Sequence, residues 1–444
     1  MVETHVLFGL PAQPVAIAIL AATYVAIISE RVNRALAALL GAAATLLLGL
    51  VDVTGAMRGI DWNTIALLTG MMVVVAIAQR SGMFEAVAIA AAHLVKAQPA
   101  ALLAMLQLVT AVLSALLDNV TTVLLVVPVT LVLTSQLRLA TFPFLVAEII
   151  ASNIGGAATL IGDPPNILIG SSAPLSFNQF LQHLTPIAAI ILLVQIAVAH
   201  VVWGRGLRAA PEDRAFVLAE TPRLAVRDWP LLWQSLGVIA AVIAGFVLAH
   251  EIGIAPGVAA IAGAVALLLL DSVGVSPPEI ARRARHTFSG VDWVTIYFFI
   301  GLFVVVTGIE RSGLLGLLAQ GLLASTSGSH GLIVVSVLWG SALLSALFDN
   351  IPFVATMVPI VREMGPAFGG ADGLQPVWWS LALGACLGGN GTLIGASSNL
   401  AVAGLAEQAG EPIHFWRYFK VAFPMMLLSI ALATLYVWGR YLAH

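Results

Sequence analysis

The segment GIDWNTIALLTGMMVVVAIAQRSG at 59–82 decides the fold, because it returns as GVDWVTIYFFIGLFVVVTGIERSG at 290–313. The two segments align without gaps and are identical at 12 of 24 positions. Two further pairs of segments are separated by nearly the same number of residues. LSALLDN (113–119) aligns with LSALFDN (344–350), and GGAATLIGDPPN (155–166) aligns with GGNGTLIGASSN (388–399). The chain therefore divides into two homologous halves, predicted as residues 1–204 and 229–444, joined by a charged cytoplasmic linker at 205–228.

The composition identifies the class of protein. Hydrophobic residues make up 60% of the 444 and charged residues only 9%, whereas soluble domains carry about 25% charged residues. This excludes a soluble enzyme and predicts an all-α polytopic membrane protein. The net charge of −3 leaves no basic field for nucleic acid. The chain has no Gly-Lys-Ser/Thr phosphate loop, one cysteine (Cys386) and no HExxH spacing, so we predict no cofactor and no metal site.

Each half is predicted to contain five membrane crossings and one re-entrant hairpin. Apolar stretches interrupted by Asp-Asn, at 100–134 and 331–361, have arms too short for comfortable crossings, and a polar tip is tolerated only where it meets a cavity. The segments 83–96 and 314–326 are predicted to be amphipathic interfacial connectors. The predicted crossings lie near 14–29, 34–51, 62–79, 142–170 and 184–204, and near 229–249, 254–270, 293–310, 376–403 and 420–439.

The basic residues predict the orientation. With both termini outside, 15 of the 19 Lys and Arg residues lie on the inner side, as the positive-inside bias requires. This places the protein in the cell inner (plasma) membrane. Five crossings per half invert the second half relative to the first. Inverted repeats with interrupted helices are typical of secondary transporters whose site lies near the midplane.

Four repeat-related interruptions form the predicted substrate site. Paired glycines permit unwinding and close backbone approach, and Pro164-Pro165 prevents helix continuation. Freed backbone groups and nearby polar side chains can then line a cavity. A single interruption is as readily a kink satisfied by neighbouring helices, but four paired interruptions favour a binding site. The predicted substrate-binding residues are Asp118, Asn119, Thr121, Thr122, Gly155, Gly156, Thr159, Asn166, Asp349, Asn350, Gly388, Gly389, Asn390, Thr392 and Asn399.

Four carboxylates within the apolar segments are proton-coupling candidates, because intramembrane acids are costly and default to function. Asp118 and Asp349 lie at the two hairpin tips, where each could instead cap its own helix. Glu148 and Asp163 occur in the first half only, and Glu148 could pair with Asn153. We expect Asp118→Asn to abolish proton-driven transport. We expect Asp349→Asn to affect stability or substrate affinity more than it affects proton coupling.

At LLDNVTTVLLVVPVT, NIGGAATLIGDPPN, FDNIPFVATMVP and ACLGGNGTLIGASSN, the sequence resembles the ion-transporter superfamily. The resemblance is to the branch that holds arsenite permeases, sodium–proton antiporters and the melanosomal P protein, and it covers nearly the whole chain. It implies a scaffold, a moving domain that contains both hairpins and both broken helices, and elevator-type exchange. Members of the superfamily are often dimers, so a homodimer is an expected assembly. Association with an ATPase stays open.

These observations predict a transporter rather than an enzyme, with a small inorganic solute and protons as its partners in the bilayer. The leading hypothesis is proton-coupled efflux of arsenite or antimonite from the cytoplasm, since trivalent arsenic is a small neutral trihydroxide that suits hydroxyl, amide and carboxylate groups. A sodium–proton antiporter is the alternative. A di- or tricarboxylate carrier fits less well, because acids stand at both hairpin tips and no Arg is expected in the cavity.

Overall fold

The computed structural model describes Val6 and residues 9–29, 31–173, 175–326, 328–370 and 372–443, and every regular element in this part of the chain is helical. Pro or a capping side chain opens most of the helices. The first half contains α1 (Ala12–Ile28), α2 (Arg34–Leu47), α3 (Val53–Gly59), α4 (Trp62–Gln79), α5 (Met83–Leu94), α6 (Pro99–Leu116), α7 (Asn119–Gln136), α8 (Phe142–Ala157), α9 (Pro164–Ser172), α10 (Phe177–His183) and α11 (Thr185–Val202).

The linker is partly helical, and the second half repeats the order of the first. A π-helical turn, Trp438–Leu442, continues the last helix. The linker contains α12 (Pro211–Ala219) and α13 (Pro222–Ala225). The second half contains α14 (Trp229–Ile252), α15 (Pro256–Ser272), α16 (Pro277–Ser289), α17 (Trp293–Arg311), α18 (Leu314–Ser325), α19 (His330–Leu347), α20 (Asn350–Glu363), α21 (Gln375–Gly388), α22 (Ser397–Gln408) and α23 (Phe415–Val437).

The structure confirms an all-helical membrane protein and corrects one length. Eight of the described helices are long and apolar enough to cross a bilayer. Three of them, α6, α7 and α19, are hairpin arms of 18 residues each, or about 27 Å at 1.5 Å per residue. The prediction that each arm is too short was wrong for these three arms, because they continue as helix up to the Asp-Asn tip itself. The fourth arm, α20, has 14 residues. Re-entry of the hairpins into the membrane stays a prediction.

The two halves are packed crosswise through one group of helices, which we call the framework group (α1, α2, α4, α14, α15 and α17). Helix α4 packs on α15, and α17 packs on α2. A Cβ at Gly70 would lie 2.6 Å from the Ala260 carbonyl carbon, and one at Gly301 would lie 2.6 Å from that of Ala38. Glycine is therefore required where each of these two helix pairs packs together. Each pair consists of one helix from the first half and one from the second.

The remaining long helices form a second group, the hairpin group (α6–α9, α11 and α19–α23). Helix α6 packs on α8, and α19 packs on α21, where a Cβ at Gly155 or Gly388 would lie 2.1 or 2.5 Å from a carbonyl oxygen of the hairpin. The Gln195 amide on α11 donates to the Met425 carbonyl oxygen of α23 at 2.6 Å. Hairpins and broken helices of both halves are thus joined in one packed unit.

Candidate functional site

The two hairpin tips have the same local construction. Asp118 lies between α6 and α7 and caps α7, accepting from the Thr121 backbone N–H at 2.8 Å and from its hydroxyl at 2.5 Å. Asp349 caps α20 through the Ile351 N–H at 3.0 Å. These caps satisfy backbone donors that a helix start otherwise leaves free. The Asn that follows each Asp is thereby oriented toward the centre of the hairpin group.

Side chains within the broken segments hold those segments in their non-helical form. Asn166 donates to the Thr159 carbonyl oxygen at 2.8 Å, and Asn399 donates to that of Thr392 at 2.8 Å. The Thr159 and Thr392 hydroxyls bond hairpin carbonyl oxygens at 2.6 and 2.5 Å. The side chains of these four predicted site residues therefore bond to backbone carbonyl oxygens and stabilise the broken segments.

Asp163 lies where the two hairpin tips meet. Its Oδ1 accepts from the Asn119 amide at 3.2 Å, and its Oδ2 accepts from the Asn350 amide at 3.2 Å. The residue is 1% exposed, and no ion pair to it occurs in the described part of the chain. A carboxylate buried among neutral side chains is costly as an anion, so neutralisation of Asp163 by a proton or a bound cation is favourable.

Asn153 connects the first hairpin to the second broken segment. Its oxygen accepts from Asn119 at 3.2 Å, while its amide donates to Asn390 at 2.9 Å and to Asn399 at 3.0 Å. The repeat counterpart of Asn153 is Cys386, whose thiol donates to the Asn166 oxygen at 3.5 Å. Each of these two residues thus contacts the broken segment of the opposite half.

Arg34, the first residue of α2, reaches the second hairpin. Its guanidinium donates to the Ser397 hydroxyl and the Thr295 hydroxyl, both at 2.7 Å. It lies 3.4 Å from an oxygen of Asp349 and 3.7 Å from one of Asp292. The expectation of a cavity without Arg was wrong. A positive charge at a helix N-terminus is unfavourable, and that signal could have indicated that Arg34 has carboxylate partners.

Two cavities meet at Arg34. The inner cavity has a volume of about 240 Å³. A second cavity, which we call the outer cavity, has a volume of about 420 Å³ and is lined by Tyr24 and Asp349 among others. Arg34, Val120 and Ser397 line both cavities. The polar residues around the inner cavity are Arg34, Gln79, Asp118, Asn119, Thr121, Asp163, Asp292, Thr295, Asn350 and Ser397.

The predicted site residues thus separate into two sets. Asp118, Asn119, Thr121 and Asn350 border the inner cavity, and Asp349 borders the outer one. The Thr122 hydroxyl is buried and has no partner in the described part of the chain. The remaining predicted residues shape or support the backbone behind the cavity: Gly155, Gly156, Thr159, Asn166, Gly388, Gly389, Asn390, Thr392 and Asn399.

Glu148 lies apart from both cavities. Its Oε1 accepts from the Thr130 hydroxyl of α7 at 2.5 Å, and no bond joins it to Asn153, contrary to the pairing considered from the sequence. Its Oε2 has no hydrogen-bond partner in the described residues.

The described residues contain no cluster of three or more His, Cys, Asp or Glu side chains that could hold a metal.

A solved structure shares this architecture. The YdaH transporter of Alcanivorax borkumensis aligns with a TM-score of 0.54 and 15% identity, over 93% of this chain and 98% of its own. The two chains therefore share a helical fold, which confirms an all-α polytopic membrane protein. The inverted relation of the two halves stays a prediction.

Sequence comparisons identify the family. Residues 24–384 match the citrate transporter family model, and the chain belongs to that family. An uncharacterized transporter of Mycobacterium tuberculosis is 42% identical over 431 residues, which cover 96% of this chain and 98% of that protein. A 46 kDa membrane protein of Mycobacterium leprae is 41% identical, covering 96% and 99%. The human P protein is 35% identical over 95% of this chain and 59% of its own length.

Proposed function

We propose that this transporter is a secondary-active carrier that exchanges a small solute for protons, with Asp163 as the proton-carrying group. The observation that carries the proposal is the position of Asp163, buried between Asn119 and Asn350 and hydrogen-bonded to both hairpin tips. Because Asp118 already accepts two bonds from Thr121, its cap role is accounted for. Asp163 has no comparable local role, since its side chain makes no capping bond to its own helix.

The arrangement links protonation to movement. An ionised Asp163 accepts amide bonds from both tips, and protonation converts one of its oxygens into a donor, which changes what those amides can bind. The hairpin group contacts the framework group through few polar bonds, among them Arg34 to Asp349 and Asn63 to Ser171 at 3.2 Å. Elevator-type movement of the hairpin group against the framework group is the proposed transport step.

Arsenite or antimonite, moved out of the cytoplasm, is the proposed substrate class. The inner cavity offers amides, hydroxyls and carboxylates in about 240 Å³, which suits a small neutral trihydroxide. The only cysteine is bonded to Asn166 outside this lining, so substrate release is not opposed by thiolate bonds. Exchange of sodium for protons at the same carboxylates is the alternative that the lining supports.

A carboxylate substrate is a second candidate, and Arg34 is the observation that favours it. A guanidinium matches carboxylate geometry, and the family model is described as a citrate transporter. Against it, Asp118, Asp163 and Asp292 line the same cavity and would repel a free anion.

Counterflow in proteoliposomes tests these proposals. Arsenite, antimonite, sodium and citrate are compared as solutes under an imposed pH gradient, with Asp163→Asn beside wild type. Asp52→Asn, an exposed carboxylate paired with Arg311, is the matched control. Proton-driven arsenite movement that is lost only in Asp163→Asn supports the proposal. Citrate movement with no arsenite movement transfers the assignment to the second candidate, and absence of pH-driven movement of all four solutes contradicts proton coupling.

A further inference from the structure

Within the described residues, every polar side-chain partner of Arg34 belongs to the second half of the chain and has a repeat counterpart in the first half. The guanidinium is held by four oxygens, from Asp292, Thr295, Asp349 and Ser397. Such carboxylate and hydroxyl oxygens are also ligands that hard cations prefer. The sequence offsets identify the counterparts of these four residues as Asp61, Thr64, Asp118 and Pro164.

Arg34 itself has no cationic counterpart. Gly70 packs on Ala260 where Gly301 packs on Ala38, so Ala38 and Ala260 are equivalent, and four residues earlier Arg34 is equivalent to Pro256. In the described part of the chain Asp118 has no ion pair, whereas Asp349 pairs with Arg34 at 3.4 Å. Of the two repeat-related carboxylates, only Asp349 is therefore paired with a fixed positive charge.

We propose that Arg34 is a tethered cation that permanently occupies the second of two repeat-related cation sites. The carrier then couples only to a cation that enters on the Asp118–Asp163 side, and removing Arg34 opens the Asp349 site to a free alkali cation. The inference rests on the proposed function in one respect, because it takes the buried carboxylates as coupling sites.

The partial burial of the pair makes this substitution consequential. The side chains of Arg34 and Asp349 are 23% and 16% exposed, and removing one partner of a poorly solvated pair leaves the other charge uncompensated. In Arg34→Ala a sodium ion can restore the balance, because the space vacated by the guanidinium adjoins the cavity of about 420 Å³.

Sodium binding to the purified protein provides the test. Wild type, Arg34→Ala and Arg34→Gln are compared in sodium chloride and choline chloride, by thermal midpoint and by binding of radioactive sodium. We expect sodium to raise the midpoint of the Arg34 variants by about 2 °C or more relative to its effect on wild type, with a matching gain in bound sodium. The double variant Arg34→Ala/Asp349→Asn loses this gain. Arg311→Ala removes an exposed pair and is expected to show no gain.

A folded Arg34→Ala or Arg34→Gln protein that responds to sodium no more than wild type overturns the inference, as does a gain that persists after Asp349→Asn. Arg34→Gln fills most of the side-chain volume and provides the answer if Arg34→Ala does not fold. Sodium binding needs no transport, so the inference can fail while proton-driven transport by wild type stands. Equally, a wild type without proton-driven transport contradicts the proposed function and leaves the sodium result readable.

Discussion

At the scale of single residues, Asp163 differs from Asp118 and Asp349 in what its oxygens accept. Asp118 and Asp349 each accept a backbone N–H of their own helix. Asp163 accepts side-chain amides, one from each hairpin tip, and in the described residues its side chain makes no capping bond to its own helix. Its bonds therefore persist only while both tips are close, which makes it the residue whose protonation can be linked to their separation.

We expect Asp163→Asn to abolish accumulation of solute against its gradient, since the Asn side chain has nearly the same volume but cannot bind and release a proton as a carboxylate does. Substrate–substrate exchange is expected to continue, because Asn keeps the side-chain volume of Asp163 at the wall of the inner cavity. Both activities are measured in the same vesicles. Concentration of solute by Asp163→Asn would exclude Asp163 as the proton carrier and direct attention to Asp118, the residue favoured from the sequence alone.

The sequence predicted the carboxylates and the Asp-Asn tips because each has a local signature, a polar pair inside an apolar run. The sequence counted Arg34 only as an inner-side basic residue at the start of the crossing predicted near 34–51, because its partners Asp349 and Ser397 lie more than 300 residues away along the chain. A contact of that separation is fixed by tertiary packing. The central role of Asn153 was missed for the same reason.

At the scale of elements, the broken helices depend on two devices. Glycine allows α8 and α21 to approach the hairpins, and one Asn per break bonds the carbonyl oxygens that the missing helical turn leaves free. The repeated GG and TLIG segments made both breaks predictable. The linker helices and α16 were not predicted, because charged segments of this length are read as loops when only apolar runs are counted.

Asn399→Ala tests the second device. The variant removes bonds to the carbonyl oxygens of Gly389 and Thr392 at 2.7 and 2.8 Å, and each buried acceptor left without a partner costs about 1–3 kcal/mol. We expect a loss of about 2–4 kcal/mol in the free energy of unfolding, measured by denaturant titration in detergent micelles. Gln408→Ala, on the exposed end of α22, is the control. Equal stability of the two variants would show that Asn399 does not hold the break.

Gly155→Ala tests the first device. The new methyl group would lie 2.1 Å from the Ala111 carbonyl oxygen, so α6 and α8 must separate, at a cost of about 1–3 kcal/mol or more. Gly404→Ala adds the same methyl group in open space on α22, where it is expected to stabilise the helix by up to about 1 kcal/mol. Thermal midpoints of the two variants should therefore move in opposite directions, and a shared direction would contradict the packing described.

At the scale of the whole molecule, the proposed transport step moves the hairpin group against the framework group. Asn63 on α4 and Ser171 on α9 belong to different groups, and their side chains are 3.2 Å apart. Neither residue lines the inner or the outer cavity. The two groups can therefore be joined at this bond without changing the lining of those cavities.

We expect cross-linking at this place to stop transport. Asn63→Cys and Ser171→Cys are combined in a Cys386→Ser background, and Hg²⁺ is added to join the two thiols. Solute counterflow should fall with the extent of cross-linking and return after addition of dithiothreitol. Each single cysteine variant should remain insensitive to Hg²⁺. Full cross-linking with unchanged counterflow would contradict relative movement of the two groups.

The crosswise packing of α4 on α15 and of α17 on α2 has a consequence for biosynthesis. About 190 residues separate Gly70 from its partner Ala260. At about 5–20 residues per second, α4 waits roughly 10–40 s in the membrane before the helix that covers its glycine surface has been synthesised. During that interval the nascent first half is exposed to lipid, insertase and protease along a surface that the finished protein never presents.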